Sequence, residues 1–514
     1  MAPFVLILFV LMILLGGIAV DVMRFETRRV AVQNTLDRAT LAAASLTQAG
    51  DPENVVIDYF AKADLGAELS GVNVEEGLNY RIVTASAVAA TRNFFMSMTD
   101  IPSLQAMNNS QAEQRINDVE VMLILDISGS MKGDKITNLK AAAHNFVETV
   151  TEHDPDHRIS IGIIPYNAQV NIGASLRGKF NATHLHGVEN ANCLELPSNT
   201  FGTLALSRAQ DFPMMAVADT VTDQSSDSGY VALTNSRAKP GNSAASRWCN
   251  PNTKTEITLP TKSKTALHEA IDALEAEGNT SILLGMRWGT ALLDPSFQPV
   301  YGELIGAGAM AADMADRPYA YDEPDAMKVI VLMTDGEHVA HTRVPDAYKS
   351  GASPIYRSSG DGMLSIYHAG QGGANKYWVP HKGTWQKTAW NSGSGVEQQS
   401  WQQVWARVTV SWVAKQLYSR ALGTSFQQEK NKFLVTYQSV NSMDSLLASN
   451  CAAARASGTL IYGIAFQAPT KGVTAIRDCA SRPASNYFFD VQGLDIDSAF
   501  SLIASNLSQL RLTQ

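Results

Sequence analysis

The chain falls into three stretches by its pattern of apolar and polar positions. The first, "MAPFVLILFVLMILLGGIAV", carries no charged side chain before Asp21. It is about as long as a helix that crosses the hydrocarbon core of a bilayer. A cleaved signal peptide is the other reading of such a run. It would need a basic segment in front and a small-x-small site closing a short apolar core; both are missing, so an uncleaved anchor is favoured. Apolar residues then recur at helical spacing, at Val30, Val32, Leu36, Leu41 and Ala44, with no Gly or Pro between them. The spacing predicts one helix continuing out of the membrane to about residue 48. "DPE" breaks it, and residues 49–117 hold alternating runs such as "NYRIVTASAVAATRNFF", which predict a few antiparallel strands. A helix followed by a small sheet is a pilin-like arrangement.

From residue 118 apolar runs alternate with amphipathic stretches. "VEVMLILDI", "RISIGIIPYN", "KVIVLMTDG" and "TLIYGIAF" are continuous apolar runs closed by turn residues, as expected of strands covered on both faces. "KITNLKAAAHNFVETVTEH" places Ile136, Leu139, Ala143, Phe146, Val147 and Val150 on one helical face. Further helices are predicted at "SKTALHEAIDAL", "SILLGMRWGTALL", "MDSLLASNCAAARASG", "GVTAIRDCASR" and "DIDSAFSLIASNLSQL", with "NYFFDV" as an edge strand. The alternation predicts an α/β domain over 118–514, built on a doubly wound, mostly parallel sheet. Two insertions interrupt it, at about 175–262 and 339–397. Loops of that length serve as lids, partner surfaces or small subdomains.

Composition narrows the partners. The 514 residues are 45% hydrophobic and 17% charged, which is globular, and the formal net charge of −9 without a basic run excludes a nucleic-acid backbone. Topology receives two opposed signals. Arg24, Arg28 and Arg29 follow the apolar segment, and the positive-inside rule would keep the C-terminal side cytoplasmic. The four cysteines, Cys193, Cys249, Cys451 and Cys479, lack zinc-site spacing. An even number in a membrane-tethered chain fits two disulfides in an oxidising compartment. Three pairings are possible and the sequence neighbours, Cys193 with Cys249 and Cys451 with Cys479, are favoured; four buried free thiols are the alternative.

Candidate chemistry sits at strand ends. In a doubly wound sheet, ligands bind outside the carboxyl ends of the strands, where "DISGS" and "TDGEH" stand. Asp126, Ser128, Ser130 and Asp335 supply two carboxylates and two hydroxyls, a hard-oxygen set suited to Mg²⁺ or Mn²⁺. The bland alternative is that Ser128 or Ser130 caps the following helix. A catalytic reading is weaker: no G-x-S-x-G elbow surrounds either serine, and His338 reads as a hydrogen-bonding loop residue. His184 and His186 in "THLH" lack further zinc ligands. Six of the eight tryptophans fall between 378 and 412, with Trp401, Trp405 and Trp412 assigned to a helix. Core packing is favoured for them over an exposed partner surface.

"DISGSM" at a strand end, followed by an amphipathic helix, resembles the D-x-S-x-S signature of the von Willebrand factor A domain and its metal-ion-dependent adhesion site. "EGNTSILLGMRWGTALLDP" is similar to the family's threonine loop, matching Thr280, and "VIVLMTDGEH" to its aspartate segment, matching Asp335. The resemblance implies a metal held by Asp126, Ser128, Ser130, Thr280 and Asp335, with serines and threonine direct or through water and the aspartates mostly through water. The order of apolar segment, "RRVAVQNTLDRATLAAASL", A domain and "DCASRPASNYFFDVQGLDIDSAFSLIASNLSQLRL" resembles the TadG-type (TadE/TadG-like) proteins of Flp, or tight-adherence, pilus assembly. This implies a single-pass bacterial inner-membrane protein with its C-terminal domain in the periplasm or envelope. It would capture an acidic side chain of a pilus or secretion-complex component, acting in recognition and not as an enzyme. A surface adhesin for a host or matrix ligand, and a metal-dependent hydrolase, are the alternatives.

Overall fold

A computed structural model describes residues 2–508 apart from 46–47, 49, 77–79, 116–117, 153, 155–156, 242–246, 250, 252–254 and 394. The chain divides into two compact units, 1–117 with 506–514, and 118–505. The break between them falls where the change of sequence pattern places the start of the α/β region, and residues 116–117 lie outside the described part.

In the first unit, helix α1 spans Ala2–Ala44. It ends a few residues before the predicted 48, of which 46 and 47 lie outside the described residues. Its first turns expose Phe4, Leu6, Phe9, Met12 and Leu15, and it is the one described helix long and apolar enough to cross a membrane. Its second half buries Val32, Leu36, Ala39 and Ala43 against Val56 and Phe60 of α2 (Pro52–Lys62) and Val83, Ala85 and Ala87 of a sheet. That sheet is antiparallel, β1 (Leu69–Glu76), β2 (Tyr80–Arg92) and β3 (Ser103–Arg115) in that order. Helix and sheet share one core, so the predicted division between residues 48 and 49 is not a domain boundary. Asp21 ties the two together. Its carboxylate accepts the N–H groups of Phe94, Phe95 and Met96 at 3.1, 2.7 and 2.8 Å.

The second unit is mixed α/β. Its six-stranded sheet contains β4 (Asp118–Asp126), β5 (Ile159–Tyr166), β6 (Thr258–Thr261), β7 (Ala326–Thr334), β8 (Leu460–Phe466) and β9 (Phe488–Val491). The order is β9-β8-β7-β4-β5-β6, with every pair parallel except β5 and β6. The central strands are buried along nearly their whole length, as a sheet covered on both faces requires. One face sends Met122, Ile124, Ile164, Tyr166, Ile330 and Leu332 into a core shared with helix residues Leu283, Trp288, Leu447 and Ile476.

The insertions are less separate than expected. Leu176, Phe180, Leu194, Phe201 and Phe212 belong to that same core, and β6 lies inside the stretch read as an insertion. The second insertion builds its own antiparallel sheet of five strands between Ala352 and Ser400. Trp378, Trp401, Trp405 and Trp412 are buried there with Ile355, Val404 and Phe433, so these four rings pack a core. Trp401 and Trp405 share the helix Trp401–Arg407, whereas Trp412 lies past a break at Val408. The structure pairs Cys193 with Cys249 and Cys451 with Cys479.

Candidate functional site

The parallel register carries three loops to one end of the sheet. Leu125 is opposite Met333, so Asp126 and Thr334 end neighbouring strands, and the loops after β4 and β7 begin side by side. A third loop, 277–281, enters helix α5 after helices α3 (Asp134–Glu152) and α4 (Lys264–Asp272); α5 spans Ile282–Leu293. Backbone bonds fix it: Gly129 N–H donates to the Gly278 carbonyl at 2.8 Å, Glu277 N–H to Ile127 at 2.7 Å and Val339 N–H to Thr280 at 3.0 Å.

The side chains converge accordingly. Asp126 is fully buried. Its Oδ1 accepts Ser128 N–H at 2.8 Å and its Oδ2 accepts the Thr334 hydroxyl at 2.6 Å. The Ser128 and Ser130 hydroxyls lie 3.0 Å apart and donate to Asp335 Oδ1 at 3.4 and 2.7 Å. Ser128 makes no capping bond, so these hydroxyls turn to a carboxylate instead of a helix end. Thr280 packs against the loop that carries Asp335, where a Cβ on Gly336 would stand 3.0 Å from its Oγ1. Hydrogen bonds thus join Asp126, Ser128, Ser130 and Asp335, while Thr280 is placed only against Gly336, the residue after Asp335. Two residues were missed. Thr334 holds Asp126, and Lys135, in the first turn of α3, donates to Asp335 Oδ2 at 2.7 Å. The helical register "KGDKI" after "DISGSM" was the available signal for Lys135.

His338 is not free to act as a base. Its Nε2 accepts the Leu283 N–H at 3.0 Å at the start of α5, leaving Nδ1 to donate to Asp444 at 2.7 Å. His184 and His186 have separate partners: His184 Nδ1 bonds the Ser350 hydroxyl and His186 Nδ1 accepts Val188 N–H. Among the described residues no group of three or more His, Cys, Asp or Glu gathers in the manner of a metal site. The donor set at the strand ends instead combines two carboxylates with three hydroxyls, which fits a hard divalent ion.

Burial, and after it the Asp335 charge, push the Asp126 carboxyl up from 3.8 to about 6. The folded protein therefore holds this proton more tightly than the unfolded chain. The resulting stabilisation is complete below about 4 and is lost as pH rises through about 6. With chelator present, this group is expected to remove up to ~3 kcal/mol of stability between pH 4 and 7. Denaturant midpoints measured at stepped pH for wild type and Asp126→Asn check this. Parallel curves for the two proteins would refute it.

Residues 1–46 match a family model, the TadE/G-like Flp pilus-assembly family Tad. No curated protein matches the chain. Solved structures with some likeness include the von Willebrand factor domain of the type V pili tip protein Mfa5 from Porphyromonas gingivalis. It is 12% identical, with 78% of this chain and 98% of that one covered and a TM-score of 0.31. The PilB minor pilin from Streptococcus sanguinis is 11% identical over 86% of this chain and 78% of its own, at a TM-score of 0.31. The pilus adhesin SpaC from Lactobacillus rhamnosus GG, in its open conformation, is 11% identical over 86% of this chain at a TM-score of 0.30. This chain spans about a third of SpaC, 34% of its length. Likeness at this level says nothing about activity.

Proposed function

We propose that the chain is an envelope-anchored protein of Flp pilus assembly whose second unit is a von Willebrand A-type domain that recognises an acidic partner through Mg²⁺ or Mn²⁺. The observation that carries this reading is the convergence of Asp126, Ser128, Ser130, Thr280 and Asp335 at the carboxyl ends of parallel strands. When bound, the ion supplies Lewis acidity toward an incoming carboxylate. Asp126, held at both oxygens, gives a negative charge once ionised, above about pH 6, while Ser128, Ser130 and Thr280 offer neutral oxygens. Few direct anionic ligands keep such an ion electron-poor and able to accept a partner's carboxylate. Recognition is favoured over turnover because both nitrogens of His338 are committed.

The N-terminal match supports the pilus-assembly part. The two disulfides support an oxidising compartment, hence an inner-membrane anchor with the second unit in the periplasm. Two of the arginines that read as a cytoplasmic signal are engaged in the fold: Arg28 pairs with Glu68 and Arg24 lies over the Phe94 ring at 4.6 Å, whereas Arg29 makes only an exposed pair with Glu26 one turn earlier in α1.

Calorimetric Mg²⁺ titration of the full chain in detergent micelles tests the site. Wild type is expected to bind one ion, and Asp126→Ala to bind it roughly 10- to 100-fold more weakly, as loss of an outer-sphere metal partner does. Equal affinity in the two proteins, or no uptake by wild type with or without acetate, would discard the metal reading.

A further inference from the structure

The metal reading leaves one charged side chain of the site without a role. Lys135 is 18% exposed, its Nζ is 2.7 Å from Asp335 Oδ2, and it lies 5.9 Å from the centre of the Phe466 ring. The two oxygens of Asp335 face different ways. Oδ1 takes the serine hydroxyls and Oδ2 takes the ammonium. Lys135 therefore bonds the carboxylate oxygen that the hydroxyls do not, and an ion would be held on the side of the hydroxyls.

We infer that Lys135 sets the charge of the site, so that a divalent ion is held more weakly while the loaded site becomes a receptor for one carboxylate. The inference rests on the metal reading. Asp126 and Asp335 carry two negative charges when ionised, and Lys135 reduces the total to one. A divalent ion then leaves the loaded site at plus one, and a partner's carboxylate closes it to neutral. Without Lys135 the loaded site would already be neutral, and the carboxylate would leave it negative. Lys132, Asp134 and Glu337 are charged neighbours in these loops, but all three are exposed and screened by solvent, and the half-buried Glu277 adds the same charge with or without Lys135, so the sign of the Lys135 effect is unchanged. Charges a few ångströms apart in a partly buried site interact strongly enough to move an equilibrium constant by about tenfold or more. Lys135 thus acts on the two ligands with opposite sign. Metal and acidic partner become interdependent, each strengthening the other.

The test compares wild type, Lys135→Met and Lys135→Arg as full chains in detergent micelles. Mg²⁺ affinity is read by calorimetry, and carboxylate binding by the relaxation of ¹³C-acetate on protein saturated with Mn²⁺. Lys135→Met keeps an apolar stem against Phe466 and is expected to bind Mg²⁺ about tenfold or more tighter, yet acetate about tenfold weaker. Lys135→Arg keeps the charge and is expected to resemble wild type in both. A residue that merely oriented Asp335 would weaken both ligands together when lost. Affinities that move in the same direction, or do not move while Mg²⁺ still binds, would overturn the inference and leave the metal site standing. Absence of Mg²⁺ uptake in wild type and Lys135→Met alike would instead overturn the metal reading, and this inference with it.

Discussion

Replacing Arg317 by alanine is expected to destabilise the second unit by about 3–5 kcal/mol, the cost typical of breaking a buried charge network by removing one partner. The side chain is 1% exposed. One guanidinium nitrogen donates to the Val119 carbonyl at 3.2 Å and the Ser160 hydroxyl at 3.0 Å. The other donates to Asp118 at 2.9 Å and to the Arg158 carbonyl. Arg317 therefore ties the first residues of β4 to those of β5, from a segment outside either strand. Alanine would leave these acceptors in a space too confined for full hydration, and an unpaired buried acceptor costs more than its bond contributed. Glu120, 3.7 Å from the same guanidinium, suffers less, since Lys328, its neighbour in register on β7, still pairs with it. Every tryptophan lies beyond residue 247, so denaturant unfolding followed by tryptophan fluorescence reports the second unit alone. Asp118 and Asp126 are eight strand residues apart, on the order of 26 Å at the usual rise. Mg²⁺ affinity of the still-folded variant should accordingly be unchanged. A midpoint equal to that of wild type would show that the network is dispensable.

Burial on both faces decides which parts of the molecule are legible in the sequence. Strands buried on both faces must be apolar at every position, so "VEVMLILD" and "KVIVLMT" declare themselves without knowledge of their neighbours. A polar cluster at the end of such a run, as in "DISGS", is conspicuous because it terminates a pattern. β6 has no such contrast. "TLPT" is four residues long, pairs on one side only and contains a proline, and its place at the sheet edge is decided by β5. Lys135 and Thr334 were silent for another reason. One resembles any polar helix residue and the other any strand end, and their roles come from partners 200 and 208 positions away. The aromatic segment gave its chemistry but not its architecture: burial of Trp401, Trp405 and Trp412 follows from their size, whereas the five-stranded sheet around them depends on pairings of strands only three to seven residues long.

The second large effect is expected at a residue that touches no ligand. Gly472 lies in the first turn of helix α7 (Thr470–Cys479), which follows α6 (Val440–Ala456) and strand β8. A Cβ at this position would stand 2.0 Å from the carbonyl oxygen of Gly336 and 3.0 Å from its carbonyl carbon. Gly336 follows Asp335 directly and is itself packed against Thr280 Oγ1. Gly472→Ala therefore drives backbone into backbone, where no side-chain rotation relieves the clash, and the displacement passes to the loop that carries Asp335. Helix propensity acts the other way, favouring alanine by about 1 kcal/mol. Overpacking of a tight contact costs typically ~1–3 kcal/mol, so the net change in stability is expected to be modestly unfavourable. The change at the site is expected to be larger, because positioning there tolerates only a few tenths of an ångström. Mg²⁺ affinity of Gly472→Ala should fall by about tenfold or more, approaching that of Asp126→Ala, with most of the stability retained. Calorimetric titration beside a denaturant midpoint separates the two effects. A variant that loses stability but binds Mg²⁺ as wild type does would mean that α7 yields instead of the loop, and that the position of Asp335 is set from the β4 side, by Ser130 and Lys135.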